Sequence, residues 1–324
     1  VLSNLASAGP AAKETARQID EVLAADLFSD GTELAPRSTD AVFLRRVWLD
    51  LVGDIPSPEQ VMMFLLDTDP DKRERVVAEL LESPQFGLNW ARYWRDVILS
   101  RRVEERSLIV ATPLVADLTD WFNANRPWNE IAAEFIQAEG DIRKSGATAI
   151  VATQDGRTEE VAAEVSRMFL GIQIQCAQCH DHPYDDWKRE QFHEVAAFFP
   201  RVGLRPLRTP TRRSFEVVVN DGPERRNRKV NNPNRRGVAE HRMPDLDDPA
   251  APGTRMQPRF FLTGNELPFG TLDAERRGKL ADWVTQSPWF ATAYANRIWA
   301  ELLGEGFYNP VDDLGPSRDA NAPN

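Results

Sequence analysis

Two cysteines, four histidines and five methionines are all that 324 residues offer by way of thiols, imidazoles and thioethers. So few cysteines exclude a disulfide-stapled scaffold. The longest apolar runs, Val61 to Leu66 among them, fall far short of the roughly 20 residues that cross a bilayer, so no membrane span lies in this stretch. Positive charge is also scarce: the formal net charge is −11 at pH 7. The exception lies between Arg201 and Arg242, where twelve Lys or Arg face only Glu216, Asp221, Glu224 and Glu240, a local balance of +8 that leaves −19 for the remainder. One Arg-rich insert in an acidic chain is not the broad basic face that nucleic acid requires. What is present is apolar content enough, 42%, for a folded protein of one large or two ordinary domains. The chain opens at Val1 with small, mostly uncharged residues, the pattern of an exported protein whose signal has been removed.

The first 200 positions read as one helix after another. Ser38 or Thr39 caps a segment whose stripe is Leu44, Val47, Trp48 and Leu51, and Gly53 stands where it stops. Ser57-Pro58 and Ser83-Pro84 each set a capping hydroxyl before a proline at the first helical position, where its missing N–H costs nothing. The second of these opens a helix with Leu88, Trp90, Tyr93, Trp94 and Ile98, too apolar for a surface helix and therefore central, its aromatics packing as core. Pro127-Trp128 opens another through Phe135 and Ile136. Thr158 is expected to cap the next, with Glu159 and Glu160 at the positive end of its dipole and Val161, Val165, Met168, Phe169 and Ile172 on its buried face. From Arg201 to Gly264 helical periodicity is lost. Alternating Phe215, Val217 and Val219 followed by Asp221-Gly222 predict a short hairpin inside a long irregular region. Helices resume at Thr271 and again after Ser287-Pro288. The predicted fold is mainly α: a tail over 1–14, a multi-helix domain over 15–200, the Arg-rich insert with its small β-hairpin over 201–264, and C-terminal helices over 265–324.

Both cysteines fall in one motif, Cys176-Ala177-Gln178-Cys179-His180. This C-x-x-C-H spacing is that of a c-type haem attachment, in which the thiols add to the two vinyl groups and the adjacent histidine becomes the proximal iron ligand. Covalent attachment holds the cofactor even on an exposed surface. Other chemistries compete for the same residues. A thioredoxin-like dithiol expects a strand before the motif, whereas a helix precedes it here. A zinc site would take Cys176, Cys179 and two further histidines. A disulfide across so short a loop would remove little chain entropy. The motif predicts one haem c and a location outside the cytoplasm, periplasmic or otherwise, where attachment takes place.

The sixth iron position separates electron transfer from catalysis. Met243, in Arg242-Met243-Pro244, offers a thioether from a stiffened loop and would suit an electron carrier; His193 would give bis-His ligation; His241 and Met256 are lower-ranked candidates. His182 is too near His180 to reach the opposite haem face and is expected to hydrogen bond near the proximal side or a propionate. Met168, Met62 and Met63 lie on helical stripes and are expected in the core. The Arg-rich insert could pair with propionates, or steer an acidic redox partner protein onto the haem edge.

The run from Phe169 through Cys176-Ala177-Gln178-Cys179-His180-Asp181-His182-Pro183 and Trp187-Lys188-Arg189-Glu190-Gln191-Phe192-His193 to Phe199 resembles the planctomycete-type cytochrome c domain family, of PSCyt type. Earlier segments carry the same likeness: Phe43-Leu44-Arg45-Arg46-Val47-Trp48-Leu49-Asp50-Leu51, Ile55-Pro56-Ser57-Pro58 and Ser83-Pro84-Gln85-Phe86-Gly87. Beyond Arg276, Leu280-Ala281-Asp282-Trp283, Asn296-Arg297-Ile298-Trp299 and Gly304-Glu305-Gly306-Phe307 look like the start of the PSD-type companion domain, truncated here. The resemblance implies an exported, mostly helical haem protein and carries no established reaction. The expected function is single-electron transfer by a mono-haem c-type cytochrome; a peroxidatic or oxidative haem enzyme acting on an extracellular substrate, or an assembly subunit with a structural haem or zinc, are the alternatives.

Overall fold

Most of the helices begin and end where short-range signals place them. The computed structural model describes residues 10–29, 35–100, 104–207, 213–222, 240–318 and 320. Helix α1 spans Pro10–Ser29, α2 Asp40–Val52, α3 Pro58–Leu66, α4 Lys72–Leu81, α5 Pro84–Leu99 and α6 Glu104–Asn123. Thr39 Oγ1 accepts the Val42 N–H at the start of α2, and Gly53 ends it in the left-handed region at φ 70°. Ser57 and Gln60 close a reciprocal capping box at α3, with Pro58 at the first helical position. Then follow α7 (Trp128–Gln137), the short α8 (Ala149–Thr153), α9 (Thr158–Val165), α10 (Arg189–Ala196), α11 (Asp273–Gln286) and α12 (Pro288–Leu303). The protein is mainly helical, and among the described residues no helix is long and apolar enough to cross a membrane.

Contacts divide the chain into two units: one holds residues up to Tyr93 with Leu118–Asn125, the other Trp94–Asp117 with Arg126 onward. In the first, Asp40 at the start of α2 receives Arg73 and Lys72 from α4. Asn89 fills the space beside Gly53 and donates to the Asp50 and Leu51 carbonyls. Helix α3 corrects one expectation. It is apolar on every side, only Phe64 of its residues is buried, and Met62 and Met63 stand 55% and 64% exposed instead of in the core.

In the second unit α7 packs on α11, and α9 continues into a single π turn over Ser166–Leu170 that Gly171 stops at φ 67°. The predicted stripe Val161, Val165, Met168, Phe169 and Ile172 is buried throughout. Arg157, not Thr158, occupies the N-cap position of α9, and Thr158 is its first helical residue. Strands β1 (Gly140–Asp141), β2 (Val202–Leu207) and β3 (Ser214–Val219) form an antiparallel sheet ordered β1-β3-β2, with Val217 opposite both Gly140 and Leu204. Among the described residues, the strand that forms a hairpin with Phe215, Val217 and Val219 is the preceding one, β2. The Asp221 carboxylate accepts from Arg201 and from the Asp273 N–H that opens α11. Two small pairs complete the strands, β4 (Arg242–Met243) with β5 (Thr254–Arg255) and β6 (Arg259–Phe260) with β7 (Asn265–Glu266).

Charged side chains are built into this interior in ion-paired networks. Arg276, 0% exposed, donates from Nη2 to both carboxylate oxygens of Glu240 at 2.8 Å, and Gly270 N–H donates to the same carboxylate. Arg277 pairs with Asp273 and donates to the Ile136 and Ala138 carbonyls at the end of α7. One close backbone approach has a measurable consequence. A Cβ on Gly146 would lie 2.4 Å from Leu114 Cα and 2.7 Å from the Pro113 carbonyl, both main-chain atoms that cannot step aside. Gly146→Ala is expected to destabilise the protein by roughly 1–3 kcal/mol in urea unfolding; an unchanged midpoint would show that the contact yields freely.

Candidate functional site

The five-residue turn Ile174–Gln178, a 3₁₀ helix, carries the motif. Its three-residue period stacks positions i and i+3. Ile174 and Ala177, both 0% exposed, form its inner edge, and Cys176 and Cys179 form the outer one. Both thiols are free and exposed. His180 follows at once, also exposed, and its Nδ1 lies 2.6 Å from the Asp181 carbonyl oxygen. That contact assigns the proton to Nδ1 and leaves Nε2 with its lone pair, the form in which a histidine ligates a metal. Two neighbouring thiols able to add to vinyl groups and one imidazole with a free Nε2 fit a covalently held haem, which asks this face of the protein for one iron ligand only. The zinc alternative fares differently: among the described residues no three His, Cys, Asp or Glu side chains converge closely enough to hold a metal ion.

Behind the turn lies a chain of imidazoles. Helix α10 presents Arg189 and His193, four residues apart and so on one face, toward the turn's last residue. His193 Nε2–H donates to the Gln178 carbonyl at 3.0 Å, and Arg189 Nε donates to the same oxygen at 3.3 Å. With Nε2 protonated, neutral His193 has an acceptor at Nδ1, which takes His241 Nε2–H at 2.8 Å. The two rings stack with 5.1 Å between centroids and 21° between planes. His241 Nδ1 is then a lone pair, 3.9 Å from Glu159 Oε1. Burial lowers His193 to a pKa of about 4, and burial, with the neighbouring His193 after it, lowers His241 to about 3. Burial likewise raises Glu159 above the usual carboxylate range. At neutral pH the histidine pair is therefore uncharged.

The structure brings most of the sequence candidates to this one place. His241 sits between Glu240, anchored by Arg276, and β4, and its carbonyl accepts the N–H of buried Met256 at 3.0 Å. Met243 is half-buried on β4, and the next carbonyl, that of Pro244, accepts Arg189 Nη2 at 2.6 Å. One guanidinium thus ties the cysteine-bearing turn to the strand that carries Met243. Both nitrogens of His193 are engaged, so in this structure it has none free for an iron. His182 turns to its own loop, where its Nδ1 accepts the Tyr184 N–H at 3.3 Å and its N–H donates to the Trp187 carbonyl at 2.8 Å.

The chain matches PSCyt2, described as a protein of unknown function (DUF1549), over residues 18–203. It belongs to that family. The match runs from α1 to the start of β2, and so takes in the Cys176–His180 motif and His193 but not His241 or Met243. No curated protein and no solved structure matches the chain.

The Arg-rich insert is described only in part. Residues 208–212 and 223–239 lie outside the described residues. Of the remainder, Arg201 is buried against Asp221 and Glu240, Arg205 pairs with Glu216, Arg213 with Glu105, and Arg242 donates to the Gly253 carbonyl. What the sequence alone did not reveal is the pairing of His193 with His241 and the role of Arg189. These residues are far apart in the chain, and only the placement of β4 beside α10 joins them.

Proposed function

We propose that this PSCyt2 chain carries one haem c on Cys176 and Cys179, with His180 as the proximal ligand, and passes single electrons to a partner protein outside the cytoplasm. The observation that carries the reading is the turn itself: two free thiols on its outer edge, followed by a histidine whose Nδ1 proton is committed to the Asp181 carbonyl. A bound haem would supply a one-electron iron couple. The chain's own residues do the rest. Cys176 and Cys179 hold the group by covalent bonds, so an exposed position costs no affinity, and exposure brings the redox centre to the surface where a partner docks. His180 offers Nε2 in a fixed tautomer. Burial of Ile174 and Ala177 anchors the turn to the core.

In this reading Met243 would be the second protein group to hold the iron. It is favoured over His193 because both imidazole nitrogens of His193 are already bonded, whereas Met243 sits beside the Arg189 link to the turn. A Met/His pair raises the reduction potential, as suits an electron carrier.

The test is an absorption spectrum of oxidised and dithionite-reduced protein produced together with haem-attachment machinery, followed by acid-acetone extraction and a pyridine haemochrome assay. Extraction-resistant haem with a low-spin spectrum is expected, and Met243→Ala is expected to turn the iron high-spin. Protein that contains no extraction-resistant haem would overturn the assignment. A high-spin wild type that shifts with peroxide or cyanide would replace electron transfer by a peroxidatic activity.

A further inference from the structure

The carbonyl at the end of a helical turn has no partner within it and must find one outside. Gln178 ends the turn that bears the cysteines, and its carbonyl oxygen is part of the planar peptide unit whose nitrogen belongs to Cys179. Whatever holds that oxygen sets the orientation of the plane, and with it the direction in which the Cys179 side chain leaves the backbone relative to Cys176. His193 Nε2–H holds it at 3.0 Å, the shorter of two contacts, with Arg189 Nε beside it at 3.3 Å. His193 is 1% exposed and sits on a helix anchored by Phe192, Val195 and Ala196. Its ring is fixed in turn by His241, which donates to Nδ1 at 2.8 Å and stacks on it. That donation also decides chemistry: by occupying the Nδ1 lone pair it leaves the His193 proton on Nε2, the atom facing Gln178.

We propose that His193 is a positioning residue for the thiol pair, its Nε2–H, aimed by His241, pinning the Gln178 carbonyl and so the spacing of Cys176 and Cys179. This deepens the haem-attachment reading but acts through thiols the chain always has, so it is testable on haem-free protein. The probe is glutathione disulfide. Each cysteine gives up one proton, a Cys176–Cys179 S–S bond forms, and the two electrons released break the S–S bond of glutathione disulfide to give two glutathione thiols. A pinned turn holds the sulfurs as neighbours and favours the intramolecular disulfide.

The equilibrium constant of this exchange is read in the haem-free full chain across glutathione redox buffers, by alkylating the remaining thiols and weighing the products. His193→Phe, which keeps the ring volume but loses the donor, is expected to lower the constant about tenfold, equivalent to about 30 mV for a two-electron couple. His193→Gln, which keeps an N–H donor of similar reach, is expected to restore most of it. His241→Phe, which releases the aim of His193 without touching the turn, is expected to lower it about threefold. A wild-type constant in folded His193→Phe overturns the proposal, as does an equal change in the Phe and Gln variants. If His193→Phe fails to fold, an unchanged constant in His241→Phe overturns it instead. Because no haem enters this measurement, a wild type without haem would sink the proposed function while leaving this result standing.

Discussion

The double variant C176A/C179A is expected to yield no haem that survives acid-acetone extraction, while each single variant keeps its haem through the remaining thioether. With both thiols gone, His180 Nε2 would be the attachment turn's one remaining bond to the cofactor, a coordinate bond that acid breaks by protonating the imidazole. His180→Ala is expected to do the reverse, retaining covalent haem while changing the spin state. These changes should leave folding nearly untouched. Both cysteines and His180 are exposed, and surface substitutions of this kind shift stability by about 0.5 kcal/mol or less. Loss of haem could then be assigned to the bonds and not to collapse of the turn, which Ile174 and Ala177 hold from the inner side. The measurement is pyridine haemochrome per mole of protein beside urea unfolding of the same samples. Extraction-resistant haem in the double variant would refute attachment at this motif.

The C-x-x-C-H pattern was legible because all of it is local: five consecutive residues state the thiols, their spacing and the imidazole. Helix starts were legible for the same reason, since Thr39, Ser57 and Ser287 accept bonds from N–H groups two or three residues on. Where the determining contact is distant, sequence reasoning went astray in identifiable ways. Val202–Leu207 contains Gly203 and Pro206, which hide a strand pattern, and proline is tolerated there because β2 is the edge of the sheet. Asp221-Gly222, a strong turn signal, drew the reading downstream, whereas among the described residues the strand that forms a hairpin with β3 is the upstream β2. The apolar residues of α3 surround the helix, so periodicity had no face to choose, and Met62 and Met63 were wrongly assigned to the core.

The histidine pair is the clearest case of a feature that only the fold assembles. As separate residues, His193 and His241 each read as a ligand to be ranked. Together they are two neutral rings in one buried chain, and a bond between them changes what each can do. Arg189 on the same face of α10 has the same history: in the sequence it is one more charge, and in the fold it bridges the Gln178 and Pro244 carbonyls.

That buried pair should also govern the response of the protein to acid. The folded pKa values of His193 and His241, about 4 and about 3, lie below the unfolded value near 6.5. Between those limits the unfolded chain binds protons that the folded chain refuses. Stability is therefore complete above about pH 6.5 and falls as the pH is lowered toward the folded values. Each unit of depression is worth about 1.4 kcal/mol, and because one ring protonating and swinging out would relieve the other, the loss between pH 7 and pH 4 is expected to be on the order of 3 kcal/mol. Two neighbours modify it. The positive charge of Arg189 further disfavours protonation of His193, while Glu159, its pKa raised by burial, retains its proton to higher pH in the folded state and offsets part of the loss. Urea unfolding at pH 7, 6, 5 and 4 measures the slope directly. In H193F/H241F most of the slope above pH 4 should disappear, even though the variant starts from a lower stability at pH 7. Parallel slopes in wild type and double variant would mean that the pair takes up its protons in place, and that its burial does not resist charge.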